Sequence, residues 1–169
     1  MRAAAARMSE REIMWPQSIC RIDKNAETEW LFLSEAATAL VWAGLGVGMA
    51  AACAALYGRY RTLPAFLTGP EVCKLDKANG CQVLFRTRYA ALLGVPNSLL
   101  GVLYYPLVAA GLLAGWPVSL LMAGASAAGA MSIYLAYVLI RDGLDCRICW
   151  AGHFANAAIW FGLGLCLLG

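Results

Sequence analysis

Four of the seven cysteines fall into two pairs. Cys146 and Cys149 sit in Cys-Arg-Ile-Cys, at the mouth of an apolar segment, and Cys73 and Cys81 sit in a basic stretch eight positions apart. A Cys-X-X-Cys pair entering a helix does characteristic chemistry. The first amides of the helix and its dipole stabilise a thiolate, which makes that sulfur a nucleophile or a good leaving group. Arg147 adds to this potential, Asp142 and Asp145 oppose it, and Asp145 is placed to cap the helix end. The expected reaction is thiol-disulfide exchange, and the apolar setting points to a lipid-soluble electron carrier. For Cys73 and Cys81 alone, a structural bond stapling a loop remains an equal reading. A zinc site is disfavoured, because the loop pair lacks short ligand spacing and has no histidine near it.

The elements that must hold these sulfurs are membrane helices. Of 169 residues, 62% are hydrophobic and 14% charged, with a mean hydropathy of +0.66, which excludes an ordinary soluble core. No Lys, Arg, Asp or Glu occurs between 89 and 140, 52 residues, enough for two spans broken at Gly115-Trp116-Pro117. Residues 36–58 and 148–169 are also uncharged. The pattern predicts spans over 33–57, 95–114, 117–140 and 147–168, hence an all-α membrane protein, a four-transmembrane-helix bundle. Residues 1–30, with five basic and five acidic side chains, read as a polar N-terminal arm rather than a cleavable signal peptide. Residues 31–169 form the membrane domain.

Four spans put both termini on one face, and the 59–94 loop and the 141–146 turn on the other, so the cysteine pairs share a side. Counting Arg59, Arg61, Lys74, Lys77, Arg86 and Arg88 places that side in the cytoplasm. Redox logic places it in an oxidising compartment. The second argument is preferred here: a bacterial inner (plasma) membrane, cysteine pairs toward the periplasm, both termini cytoplasmic.

Within the loop, Asn79-Gly80 supplies a turn before Cys81. Phe85 and Tyr89, four apart, suit a short amphipathic helix across the bundle mouth, capping a pocket. In the last span Cys149, His153, Asn156 and Trp160 share one helical face. Polar groups at membrane depth turn toward a cavity or a partner helix, and interhelical hydrogen bonding is the plainer use of His153. Pro96-Asn97-Ser98 breaks the second span beside an amide that can cap, bridge helices or bind a carbonyl. Cys53 and Cys166 read as small buried hydrophobes, and Cys20 has no evident mate. Trp30, Tyr57, Trp116 and Trp150 read as interfacial anchors.

Taken together, Cys-x7-Cys, Phe-x-Thr-Arg-Tyr, Asn-Ser-Leu-Leu-Gly and a Cys-x2-Cys entering the last helix resemble the vitamin K epoxide reductase family over about 31–168. The resemblance implies a four-helix enzyme that oxidises a thioredoxin-like partner and passes the electrons to a quinone. It implies an active-site pair, Cys146 and Cys149, with Cys149 nearest the quinone, and a shuttle pair, Cys73 and Cys81. It implies quinone contacts at Asn97, an aromatic pocket position at Phe85, and a hydroxyl at Thr87 where serine is common. Arg86 replaces what is often a small polar residue. His153 departs from the tyrosine of animal members; either can donate a hydrogen bond, and a histidine can also deliver a proton.

The expected acceptor is ubiquinone or menaquinone, with no metal. The expected donor is a separate DsbA-like, thioredoxin-fold protein, because no such domain follows the bundle in this chain, and the expected role is disulfide bond formation. Two other readings remain: a quinone or vitamin K epoxide reductase acting for the quinone product, and a non-enzymatic membrane subunit stapled by two disulfides.

Overall fold

The computed structural model describes residues 28–61, 88–91, 94–143 and 146–168. They form four α-helices: α1 Thr28–Tyr60, α2 Asn97–Leu113, α3 Val118–Arg141 and α4 Arg147–Leu168. A short 3-10 turn, Arg88–Ala91, precedes α2. Three helical stretches, Leu33–Tyr60, Val118–Arg141 and Arg147–Leu168, are long and apolar enough to cross a membrane, and α2 is a shorter apolar helix. The result is an all-α membrane bundle.

The boundaries follow local chemistry. Proline at the N-cap opens both α2 and α3, at Pro96 and Pro117, where the missing N–H would go unused in any case. The proline break anticipated within the second span therefore stands just before the helix, as its N-cap. The α2 helix closes with a Schellman turn: Trp116 N–H donates to Gly111 C=O at 2.9 Å, and Gly115 N–H to Leu112 C=O at 3.2 Å. That turn needs the left-handed backbone that Gly115 supplies, φ 71°. Stops on both sides leave α2 at 17 residues, about 26 Å at 1.5 Å per residue.

The tightest interface is between α1 and α4, which run antiparallel. A Cβ built at Gly162 would lie 2.6 Å from Val41 Cγ2 and 2.8 Å from the Ala37 carbonyl. One at Gly44 would lie 2.8 Å from Ile159 Cγ1 and 2.9 Å from the Ala155 carbonyl. Only glycine allows such backbone approach, the usual way helices associate where lipid supplies no hydrophobic drive. Val41, Leu45, Ile159 and Leu163 fill the core beside them, none more than 5% exposed. The opposite surfaces carry Leu103, Ile133, Phe154 and Phe161, all 60% exposed or more, as suits contact with acyl chains. α1 also packs on α2, and α3 on α4, whereas α2 and α3 barely touch.

Candidate active site

At the start of α4 a sulfur takes the place of the usual capping oxygen. Cys146 is the N-cap: its carbonyl accepts the first helical bond from Trp150 N–H at 3.0 Å, and its Sγ accepts from Cys149 N–H at 3.3 Å. Ser, Thr, Asp and Asn make the same contact with oxygen, satisfying an otherwise orphaned amide. Asp145, expected as the cap, lies outside the described residues, and the cap contact is made by Cys146 itself. Negative charge on this sulfur is favoured by the N–H that points at it and by the positive end of the helix.

Cys146 is buried, 1% exposed, among Ala51, Leu139 and Ile148. The charge of Asp142, expected to oppose a thiolate, is offset by a neighbour. Arg141 Nε and Nη2 donate to its carboxylate at 2.8 and 3.2 Å, which holds that carboxyl below the usual range. Arg141 Nη2 also donates to the Tyr89 hydroxyl at 3.2 Å, so the end of α3 is tied to the 3-10 turn.

Cys149, one helical turn deeper than Cys146, lies on the wall of a cavity of about 420 Å³ lined by all four helices. That volume suits a small ligand. Apolar atoms dominate the wall, with polar side chains among them that include Arg59, Asn97, Tyr104, Tyr105, His153 and Asn156. Asn97 reaches the same wall from the first turn of α2, and its Nδ2 donates to the Tyr89 carbonyl at 2.7 Å. His153, one turn below Cys149, meets Trp150 edge-on, with centroids 6.0 Å apart at 90°. Its Nε2 is buried and has no hydrogen-bond partner among the described residues, and the same holds for the Tyr104 hydroxyl. Buried polar atoms of this kind call for an explanation, and a ligand is one.

The polar face expected on α4 is present and divides in two. Cys149 and His153 line the cavity. Asn156 lines it too, but is held as a clamp: the Tyr105 hydroxyl donates to its Oδ1 at 3.0 Å, and its Nδ2 donates to Ser132 Oγ at 2.7 Å. Trp160 Nε1 donates to Ser126 Oγ at 3.1 Å. For Asn156 and Trp160 the plainer interhelical use is the observed one, and for His153 it is not.

Sequence reasoning missed Tyr104, Tyr105 and Ser132. The available signal was two adjacent tyrosines deep in an uncharged stretch, away from any interface. Cys166 is corrected as well: it is disulfide-bonded, with a partner outside the described residues. Cys53 is exposed on the bundle surface rather than buried. Cys73, Cys81, Phe85 and Thr87 lie outside the described residues, and so does most of the expected amphipathic helix, of which Arg88–Ala91 is a single 3-10 turn. Among the described residues, no three His, Cys, Asp or Glu side chains gather where a metal could bind.

A helical membrane bundle with a Cys-X-X-Cys at a helix N-terminus, one cysteine opening onto an apolar cavity, has the architecture of a membrane thiol oxidoreductase. The Vitamin K epoxide reductase family model matches residues 31–162, and the chain belongs to that family. No curated protein and no solved structure shows significant similarity to it. Membership implies oxidoreductase activity between thiols and quinones.

Proposed function

We propose that the chain is a thiol oxidase that takes electrons from a separate thioredoxin-fold protein of the DsbA type and delivers them to a membrane quinone, in support of disulfide formation. The observation that carries this reading is the division of labour within one motif. Cys146 sits buried at the charge-stabilising helix end, and Cys149 faces the apolar cavity.

The proposed exchange balances at each step. A partner thiolate attacks the Cys73–Cys81 disulfide at Cys73 and frees Cys81. The partner's second thiol then displaces Cys73, and the partner leaves oxidised. Cys81 attacks Cys146 of the oxidised Cys146–Cys149 pair and releases Cys149 as a thiolate. Cys73 resolves the Cys81–Cys146 bond, restoring its own disulfide and leaving Cys146 as a thiol. The Cys146–Cys149 dithiol then loses two electrons and two protons and closes its disulfide. The helix end that favours a charged Cys146 also makes it a good leaving group when Cys73 resolves that bond.

The cavity residues fit a quinone head group. The wall is mostly apolar, as a lipid-soluble ring requires, while His153 and Tyr104 bring polar atoms with no partner among the described residues. Quinone supplies a two-electron, two-proton sink more oxidising than a DsbA-type dithiol, which itself stands at roughly −120 mV. Asn97 would orient a carbonyl from the start of α2, and His153 would donate a hydrogen bond, or a proton, to a quinone oxygen.

The test is turnover by the purified full chain in detergent, with dithiothreitol as donor and a water-soluble quinone as acceptor. One hydroquinone is expected for each pair of thiols oxidised. Absence of turnover with every quinone and dithiol pair tried, by protein that remains folded, would remove the proposal.

A further inference from the structure

Most polar side chains on the cavity wall already have work. The Tyr105 hydroxyl donates to Asn156 Oδ1 at 3.0 Å, Asn156 Nδ2 to Ser132 Oγ at 2.7 Å, and Asn97 Nδ2 to the Tyr89 carbonyl at 2.7 Å. Two buried polar atoms of the wall have no hydrogen-bond partner among the described residues: Tyr104 Oη on α2 and His153 Nε2 on α4. Trp42 Nε1 shares that condition, but Trp42 packs against the core and not on this wall.

The two groups stand across the cavity at similar depth. α1 packs on both α2 and α4, and α3 packs on α4, whereas α2 and α4 do not pack directly on each other, so these two helices are diagonal in the bundle. The Tyr105–Asn156 bond spans that diagonal and sets its register. Both helices start from the Cys146 end, where Asn97 is tied through Tyr89 to Arg141. Tyr104 comes one residue before Tyr105, and His153 three before Asn156, so both lie within one turn of the bond, about 5.4 Å, on its cysteine side. Helical side chains lean toward the N-terminus, which carries both groups further toward Cys149. The Tyr104 ring meets Tyr105 edge-on, with centroids 5.2 Å apart at 64°, so its hydroxyl is held by a neighbour that Asn156 holds in turn.

We infer that Tyr104 is a specificity-determining residue: its hydroxyl donates to one carbonyl of the bound ring while His153 donates to the other, so that the site selects para-quinones over rings with a single carbonyl. This rests on the quinone reading of the cavity and assigns that site its second donor. Asn97 lies seven positions before Tyr104, on the same face of α2, and its amide is already on the Tyr89 carbonyl. The ring carbonyl that Asn97 orients therefore needs a further donor, and Tyr104 supplies it. A ring with one carbonyl leaves one of the two buried groups unpaired, and sites built to hydrogen-bond both ends of a ligand discriminate sharply against such analogues. A tyrosine hydroxyl also accepts, so Tyr104 keeps its contact when reduction turns the carbonyl into a hydroxyl.

The test is equilibrium binding to the full chain, oxidised beforehand so that no electrons pass to the ligand. Menadione, a para-quinone, is followed by quenching of tryptophan fluorescence, and alpha-tetralone, a bicyclic ring of similar size with one carbonyl, by displacing it in the same detergent. Tyr104→Phe keeps the ring and removes only the hydroxyl. It should weaken menadione roughly tenfold, the worth of a hydrogen bond, and leave alpha-tetralone nearly unchanged, because His153 still serves a single carbonyl. His153→Phe should reduce the preference for menadione in the same way. An unchanged preference in Tyr104→Phe overturns the inference, and so does an equal loss of both ligands, which would make the hydroxyl structural. Either result leaves the proposed function standing, whereas a wild-type chain that binds no quinone removes both.

Discussion

The amide of Cys149 donates to the sulfur of Cys146 at 3.3 Å, so a capping contact joins the two cysteines of one motif. The residue proposed to exchange also caps the first turn of α4. Its partner, three residues further along α4, lines the cavity.

Removing the Cys146 sulfur should therefore have two separable effects. Cys146→Ala is expected to lose about 1 kcal/mol of stability, the usual cost of a missing N-cap, together with all turnover. Cys146→Ser should recover the stability and none of the turnover. Thermal unfolding in detergent and quinone reduction, measured on the same preparations, check this. Serine failing to restore stability would count against the capping role.

Cys149→Ala keeps the cap, because the donor is a backbone amide. Quinone reduction should fall to the uncatalysed background, while a covalent adduct between the thiol partner and the protein still forms. A surviving rate of quinone reduction would show that Cys149 is not the sulfur at the cavity.

His153 brings to the cavity a buried nitrogen with no partner among the described residues. His153→Phe should lower kcat/KM for quinone roughly tenfold, the worth of a hydrogen bond, without slowing exchange with the dithiol. His153→Tyr should retain most of the activity. Equal losses in both variants would reduce the role of this side chain to packing.

Asn156 ties α2 to α3 through Tyr105 and Ser132. Asn156→Ala is expected to cost about 1 kcal/mol, since hydrogen bonds between membrane helices average about 0.6 kcal/mol each and reach about 1.7. Gly48→Ala should resemble it, since an added Cβ would run into the Tyr105 ring and hydroxyl and push the donor off Asn156. A double variant losing no more than the worse single one would establish the shared cause; full additivity would refute it.

Cys73→Ala separates shuttle from staple. Oxidation of a protein dithiol should stop, while reduction of quinone by dithiothreitol continues at a similar rate. Equal loss of both activities would assign the loop pair a structural role.

Much of this was legible in the sequence because lipid enforces simple rules. Uncharged stretches marked the helices to within a few residues, apart from α1, which begins five residues earlier than the expected span. The spacing of Cys149, His153 and Asn156 gave the cavity-facing side of α4. Contacts across helices were not legible: Tyr105 and Ser132 stand 51 and 24 positions from Asn156, and their meeting depends on helix rotation, which composition does not encode. Local rules also misled at Cys146. Asp145 is the better capping residue by propensity, yet the next position holds the cap.

The sparse meeting of α2 and α3 has a kinetic corollary. A ligand admitted sideways through that seam is drawn from the two-dimensional pool of the surrounding leaflet, and a long isoprenoid tail can stay among the lipids while its head group reacts. Saturation should then follow the mole fraction of quinone in the detergent or lipid phase rather than its bulk concentration. Adding inert amphiphile at constant quinone would slow the enzyme by surface dilution alone.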